Sequence, residues 1–313
     1  MQNRRTFLKQ AAAGLVAALP LPGKGQSTIG LGLGNYGFKS YRTVDAIKFI
    51  ASVGYDSVEL TMMPGWPTEP VKVSPEDRKK IKAALAEYGQ ALPSLLETIP
   101  VLGDHKENLE RIRRGIQFGH DVNAGVGGVS PVLQTHIGGA SKDWEAKKNL
   151  VADRLKDWAE VGRSMKMPVS IKGHNLNLND TSEKTAWLMK QVNSPWLRVI
   201  YDYSHYQAGG EDMDKSMDIL LPYTNMISIK DGKNYTDKPG YERLLPGDGT
   251  IDYVAYYRHL LKAGWSGHTV VEISAQLQAK PGYDPVYAAK HSYEKIAPVM
   301  AQVGVKRPAH RKG

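Results

Sequence analysis

Carboxylates, lysines and histidines recur at one kind of place in this chain, inside or just beyond short apolar runs. Glu59 lies in the run 57–60, and Glu97 follows 91–95. Gln134 and His136 follow 125–132, Lys172 and His174 follow 168–171, and Asp202 and His205 follow 197–201. Ser228, Lys230 and Asp231 ride on 226–229, and Glu272 lies in 269–273. Acids, ammonium groups and imidazoles gathered at one end of such runs can take up, deliver and stabilise charge during proton transfer. A random surface would not set charges against apolar runs so regularly, because an unpaired buried charge is costly. The chain has no cysteine, which excludes thiolate nucleophiles, thiolate-zinc sites, iron–sulfur clusters and disulfide scaffolds.

The elements that must position these groups show the same rhythm. With a first run at 29–33 there are eight candidate strands, separated by longer amphipathic stretches. Ser74-Pro75-Glu76-Asp77 supplies an N-cap, a proline at N1 and early acids. Ile81, Ala84, Leu85 and Tyr88 then share one face, and Gly89 ends the helix. Residues 252–261 repeat the plan, with Tyr253, Tyr257, Leu260 and Leu261 inward and Gly264 closing it. Eight strand-and-crossover units within 313 residues, with no linker, predict a single (β/α)8 TIM barrel of the α/β class. In such a barrel the active site forms at the C-terminal strand ends, where the polar groups fall. Gly32-Leu33-Gly34 lacks the third glycine of a dinucleotide loop and is discounted as a cofactor signal.

The net charge of +9 is concentrated at the ends. Arg4, Arg5, Lys9 and Lys24 stand before residue 27, and Lys306, Arg307, Arg311 and Lys312 close the chain. Removing these eight leaves +1. A near-neutral body argues against nucleic-acid binding. Asn3-Arg4-Arg5-Thr6-Phe7-Leu8-Lys9, followed by the apolar run 11–21, resembles a twin-arginine export signal. That run is too short for a stable membrane span. The expected organisation is a signal at 1–26, the barrel at 27–305 and a basic tail at 306–313, with the mature protein exported to the periplasm. Homo-oligomerisation is left open.

Five motifs in order resemble the sugar phosphate isomerase/epimerase group of xylose isomerase-like barrels. They are Gly54-Tyr55-Asp56-Ser57-Val58-Glu59-Leu60, Tyr201-Asp202-Tyr203-Ser204-His205, Ile229-Lys230-Asp231-Gly232, Pro246-Gly247-Asp248-Gly249-Thr250-Ile251-Asp252 and the stretch from Gly264 to Glu272. The resemblance implies a divalent metal held by Glu, Asp, His and Glu, with the two glutamates moving protons beside a sugar carbonyl or carbinol. Two of the four positions match, Asp202 and Glu272. Lys172 and Ser228 stand at the other two. An ammonium about 4 Å from a dication is repelled by roughly 8 kcal/mol at an effective dielectric of about 20. Either Lys172 is the resident cation, the favoured reading, or it turns away and Asp202, Glu272, His205 and His174 hold a metal. The cofactor is therefore left open.

The expected ligand is a small carbohydrate or polyol, and the expected reaction an isomerisation, epimerisation or related elimination. Lys172, Asp202 and Glu272 are the candidate catalytic residues: Glu272 as base, Asp202 orienting a hydroxyl, Lys172 stabilising an enolate oxygen. His174, His205, Lys230 and Glu59 are the candidate substrate-binding residues. Two rivals stand beside this reading, a glycosidic-bond-cleaving or lyase enzyme using Glu97 with Glu272, and a non-catalytic sugar-binding protein.

Overall fold

A computed structural model of the chain describes residues 27–309; the twin-arginine segment at 1–26 and residues 310–313 lie outside the described residues. Among the described residues ten strands follow in chain order: β1 (Ile29–Gly34), β2 (Ser57–Thr61), β3 (Ser94–Thr98), β4 (Val132–His136), β5 (Val169–Lys172), β6 (Leu197–Tyr201), β7 (Thr224–Ile229), β8 (Asp231–Asn234), β9 (Tyr241–Leu244) and β10 (Gly267–Val271). Eight of them close into a parallel barrel in the order β1-β10-β7-β6-β5-β4-β3-β2, and β8 and β9 form a separate antiparallel hairpin. Helices cross between the barrel strands, so the predicted (β/α)8 architecture is the observed one.

Strand parity organises the barrel, because successive side chains point to opposite faces. Leu31, Leu33, Val58, Leu60, Leu95, Leu133, Val169, Ile171, Val199, Ile227 and Val271 all join one continuous core with the surrounding helices. The intervening residues face the barrel axis, where Val132, Ile200, Met226 and Val270 form a small cluster of their own. The even positions of β1 are all glycine. A Cβ at Gly30 would meet His268 Nδ1 at 2.4 Å, and one at Gly32 would meet Ser57 Oγ at 2.3 Å. The glycines of β1 thus make room for side chains from its two neighbours and have no part in a cofactor loop.

Two expected strands are displaced. The run 91–95 pairs as Ser94–Thr98, and 125–132 is loop and 3-10 turn up to the true strand at Val132. Gly125, Gly127 and Gly128 all take positive φ, which a strand cannot accommodate. The helix ends follow the sequence signals: Ser74 caps Pro75–Glu87, Asp252 caps Tyr253–Lys262, and Gly89 and Gly264 follow with φ of 62° and 67°. The first residues of the basic tail are held against the barrel. Lys306 O accepts from Ile29 N at 2.9 Å, and Arg307 reaches Asp56 Oδ2 at 2.7 Å and Gly54 O at 2.6 Å, so this stretch is packed on the barrel's N-terminal end.

Candidate active site

The parity that places Ile171 and Val199 outward turns Lys172, Asp202, Ser228, Lys230 and Glu272 inward at the C-terminal mouth. Lys172, on the last residue of β5, is fully buried. Its Nζ donates to Glu272 Oε2 at 2.6 Å and to Ser228 Oγ at 3.1 Å, and lies 3.6 Å from Asp202 Oδ2. Lys230, just past β7, completes the arrangement at 2.7 Å from Glu272 Oε1 and 3.2 Å from Asp202 Oδ2. Two ammonium groups therefore bridge two carboxylates, and the four charges cancel within one buried cluster.

The charges set one another's proton affinity. Burial pushes Glu272 up, but the ammonium groups of Lys172 and Lys230 outweigh it and hold the carboxyl well below the usual range. The same contest, with Lys230 the larger opponent, leaves Asp202 below its ordinary value. Burial lowers Lys172, yet Glu272, Asp202 and Glu59 together raise it, so it stays an ammonium. Glu59 lies behind this group, and the Gln134 amide joins the two when its orientation is assigned from its neighbours, the nitrogen then donating to Glu59 Oε2 at 3.2 Å and the oxygen accepting from Lys172 Nζ at 3.1 Å. Ser94 Oγ donates to the same carboxylate. Burial is the main cause of its rise to about 7, only partly offset by Lys172. Separated from the mouth by Gln134, Glu59 adjusts the charge of the cluster from below.

One wall of the mouth is imidazole. The rings of His136, His174 and His205 lie 5.0 Å (136–174) and 3.9 Å (174–205) apart. Burial and the nearby lysines depress all three, His174 to about 4, so they are neutral at pH 7. His205 Nε2 lies 3.2 Å from Lys230 Nζ, and its Nδ1 lies 2.9 Å from both Asn175 Oδ1 and Arg243 Nη2. Across the mouth Tyr36 stacks on Trp66, with centroids 5.2 Å apart, and Lys39 sits 4.2 Å over the Trp66 ring. Tyr36 is raised first by burial and then by Glu272, which places the platform within the field of the site.

Other polar candidates have structural partners. Glu97 faces away from the barrel axis and accepts from Arg111 Nη2 at 2.9 Å, and His105 pairs with Asp157 at 2.9 Å. Asp231, next to Lys230, accepts instead from the backbone of Gly232, Gly247, Gly249 and Ile251 and so ties down the Pro246–Asp252 loop. Arg243 and Asn175 were not singled out in the sequence. Tyr241-Glu242-Arg243-Leu244 reads as a surface strand, yet Arg243, opposite Gly232 in the hairpin, is buried against Ser204, Asn175 and His205.

A metal held as the resemblance implies does not fit these residues. Glu272 Oε1 and Oε2 and Asp202 Oδ2 each lie within 3.6 Å of an ammonium. The alternative set of Asp202, Glu272, His205 and His174 does not converge either. Lys230 Nζ is as close to His205 Nε2 as to Asp202, and His174 Nδ1 lies 2.9 Å from Asn175 O. Among the described residues no group of three or more His, Asp or Glu could hold a metal ion.

Residues 47–297 match the family model for the xylose isomerase-like TIM barrel. The chain belongs to this family. It is 22% identical to an inosose dehydratase of Geobacillus kaustophilus over 298 residues, covering 85% of this chain and 87% of the relative. Among solved structures of xylose isomerase-like barrels, it resembles the apo form of a 3-keto-D-glucoside 4-epimerase from Escherichia coli. The TM-score there is 0.67 at 16% identity, over 87% of this chain and all of the other. A D-psicose 3-epimerase from Clostridium cellulolyticum, solved with D-tagatose, gives 0.69 at 13% identity over 88% and 99%. These structural likenesses establish the fold.

Proposed function

We propose that this family member is a sugar-modifying enzyme that moves a proton on carbon next to a carbonyl of a carbohydrate or polyol. The outcome is isomerisation, epimerisation or elimination of a neighbouring hydroxyl. The observation that carries this reading is the pair of ammonium groups laid across Glu272 and Asp202 at the barrel mouth. A carbonyl oxygen entering between Lys172 and Lys230 takes over hydrogen bonds now directed at Glu272. The ammonium groups then stabilise the enolate oxygen that develops as the proton leaves carbon. Glu272, freed of part of its ion pairing, gains basicity where a base is needed. Asp202 keeps Lys230 oriented, and the neutral His174 and His205 hold hydroxyls. The sugar chemistry named for the related inosose dehydratase and epimerases supports the substrate class.

Solvent exchange tests the reading. Ketoses and keto-sugars incubated with the protein in D2O should gain deuterium at the carbon beside the carbonyl, detected by NMR, and the Glu272→Gln variant should lose that exchange. A panel of such sugars showing no exchange would sink it. The glycosidase alternative loses support because Glu97 is held by Arg111 outside the barrel interior. Export is part of the proposal and rests on the motif from Asn3 to Lys9. Residues 1–26 fused to a reporter should carry it to the periplasm, and changing Arg4 and Arg5 to Lys should stop it.

A further inference from the structure

We propose that the sugar taken by this site bears a carboxylate, as in a uronic or aldonic acid, and that Arg243 on the β8–β9 hairpin selects it. The inference rests on the sugar-modifying reading and adds the charge of the substrate. Three buried cations face the mouth, Lys172, Lys230 and Arg243. The first two are matched by Asp202 and Glu272. The third is not: among the described residues no carboxylate lies within 4.0 Å of its guanidinium, although it is only 8% exposed.

No polar atom within hydrogen-bond distance of Arg243 belongs to a carboxylate. Nη1 donates to Ser204 Oγ at 2.8 Å and Ser204 O at 3.2 Å, and Nη2 lies 3.4 Å from Asn175 Oδ1 and 2.9 Å from His205 Nδ1. The guanidinium also packs on the Tyr241 ring at 4.6 Å, and Tyr241 is anchored through its hydroxyl to Gln207 at 2.5 Å. Ser204 Oγ in turn donates to Asp202 Oδ1 at 2.6 Å, but that acid already faces Lys172 and Lys230. These contacts fix the direction of the guanidinium without giving it a carboxylate of its own, and a buried cation without a direct counter-ion is costly. Glu242, its neighbour on the hairpin, faces Lys233 at 3.6 Å, and the Glu211 carboxylate is turned to the N–H and hydroxyl of Ser182. The imidazoles beside Arg243 are neutral and bring no negative charge, and His136 Nε2 is buried with no hydrogen-bond partner. The mouth thus offers a guanidinium with no carboxylate of its own, a donor set that is already oriented, and a ring wall for the sugar. A planar monoanion suits one guanidinium, whereas a phosphate ester brings nearly two charges to one site.

Calorimetric titration of the full chain with D-glucose, D-glucuronate and D-glucose 6-phosphate, and with the galactose series, tests this. The uronate should bind about tenfold or more tighter than its parent hexose, and raised salt should narrow the gap. Arg243→Gln should erase most of the difference and Arg243→Lys should keep part of it; melting curves check that both fold. Equal affinity for hexose and uronate, silence from every sugar, or a preserved gap in Arg243→Gln overturns the proposal. Preference for the 6-phosphate overturns it in favour of a phosphate site. Should Arg243→Gln not fold, the wild-type preference and the Arg243→Lys variant decide. A hexose that exchanges deuterium while uronates do not bind sinks this inference alone. A uronate that binds through Arg243 without exchange sinks the proton-transfer reading alone.

Discussion

Replacing Lys172 by Met removes one ammonium of the buried four-charge cluster and leaves a chain of similar length in its place. Lys230 then faces Glu272 and Asp202 alone, so a neutral interior cluster becomes one with net charge minus one. Removing one partner of a buried ion pair costs about 3–5 kcal/mol, because the survivor stays desolvated. At roughly 2–4 °C per kcal/mol for a domain of this size, the midpoint of thermal unfolding should fall by about 10 °C at pH 7. The sign of the pH dependence separates this cause from lost packing. In the wild type Glu272 and Asp202 sit below their unfolded values, so their contribution is present above about pH 4–5 and fades as pH falls through their folded values. In the variant Glu272 loses its nearest cation and rises, so protonation relieves the strain and the stability gap to wild type narrows on acidification. Denaturant unfolding at pH 7 and pH 5 reads both numbers, and Glu272→Gln added to Lys172→Met should recover part of the loss. A gap below about 1 kcal/mol, or one that is the same at both pH values, would show that Lys172 does not sit between these acids.

Three further outcomes follow from the same geometry. Because Glu59 is raised to about 7, the native state holds a proton that the unfolded chain has lost between about pH 4.5 and 7, and stability drops across that window by about 3 kcal/mol; Glu59→Gln should flatten this slope in pH-resolved denaturant melts. Gly249→Ala places a Cβ 2.0 Å from Asp231 Oδ1, in the loop that the amides of Gly247, Gly249 and Ile251 tie to that carboxylate. It should cost about 1–3 kcal/mol in thermal melts, while a change below a few tenths would refute the packing argument. The double substitution Lys172→Glu with Ser228→His restores carboxylate and imidazole donors beside Asp202 and Glu272. Elemental analysis after dialysis should find about one Mn or Zn per chain in that variant, and far less in the parent.

The architecture was legible because parity and periodicity are written in residue type. The alternation in Val169-Ser170-Ile171-Lys172 and in the β1 run of Gly and aliphatic residues already says which side chains face the axis. Where the signal failed, glycine was responsible: the stretch 125–128 is apolar enough to read as a strand, but its positive φ values make it a loop. Lys172, Asp202 and Glu272 are legible for the same parity reason, and so is Lys230, though no local pattern names Glu272 and Asp202 as its partners. Arg243 left no such trace. Its burial depends on a two-strand arm folding back over the mouth, a tertiary event that no local pattern in Tyr241-Glu242-Arg243-Leu244 announces.

Exchanging a metal for two lysines changes what the site can discriminate. A divalent ion takes substrate oxygens into open coordination positions and stabilises anionic oxygen as a Lewis acid, whereas an ammonium group acts by donating hydrogen bonds, and here those are already satisfied at rest. Lys172 has Glu272, Ser228 and Gln134 around it, and Lys230 has Glu272, Asp202 and His205. A substrate oxygen must therefore compete with internal partners, and it wins only where charge develops on it. In the proposed reaction that would favour the enolate over the ketone, which is the differential binding that catalysis requires. An isostere of the enolate should accordingly bind more tightly than the matching ketone, and loss of that preference in Lys172→Met would tie it to this ammonium.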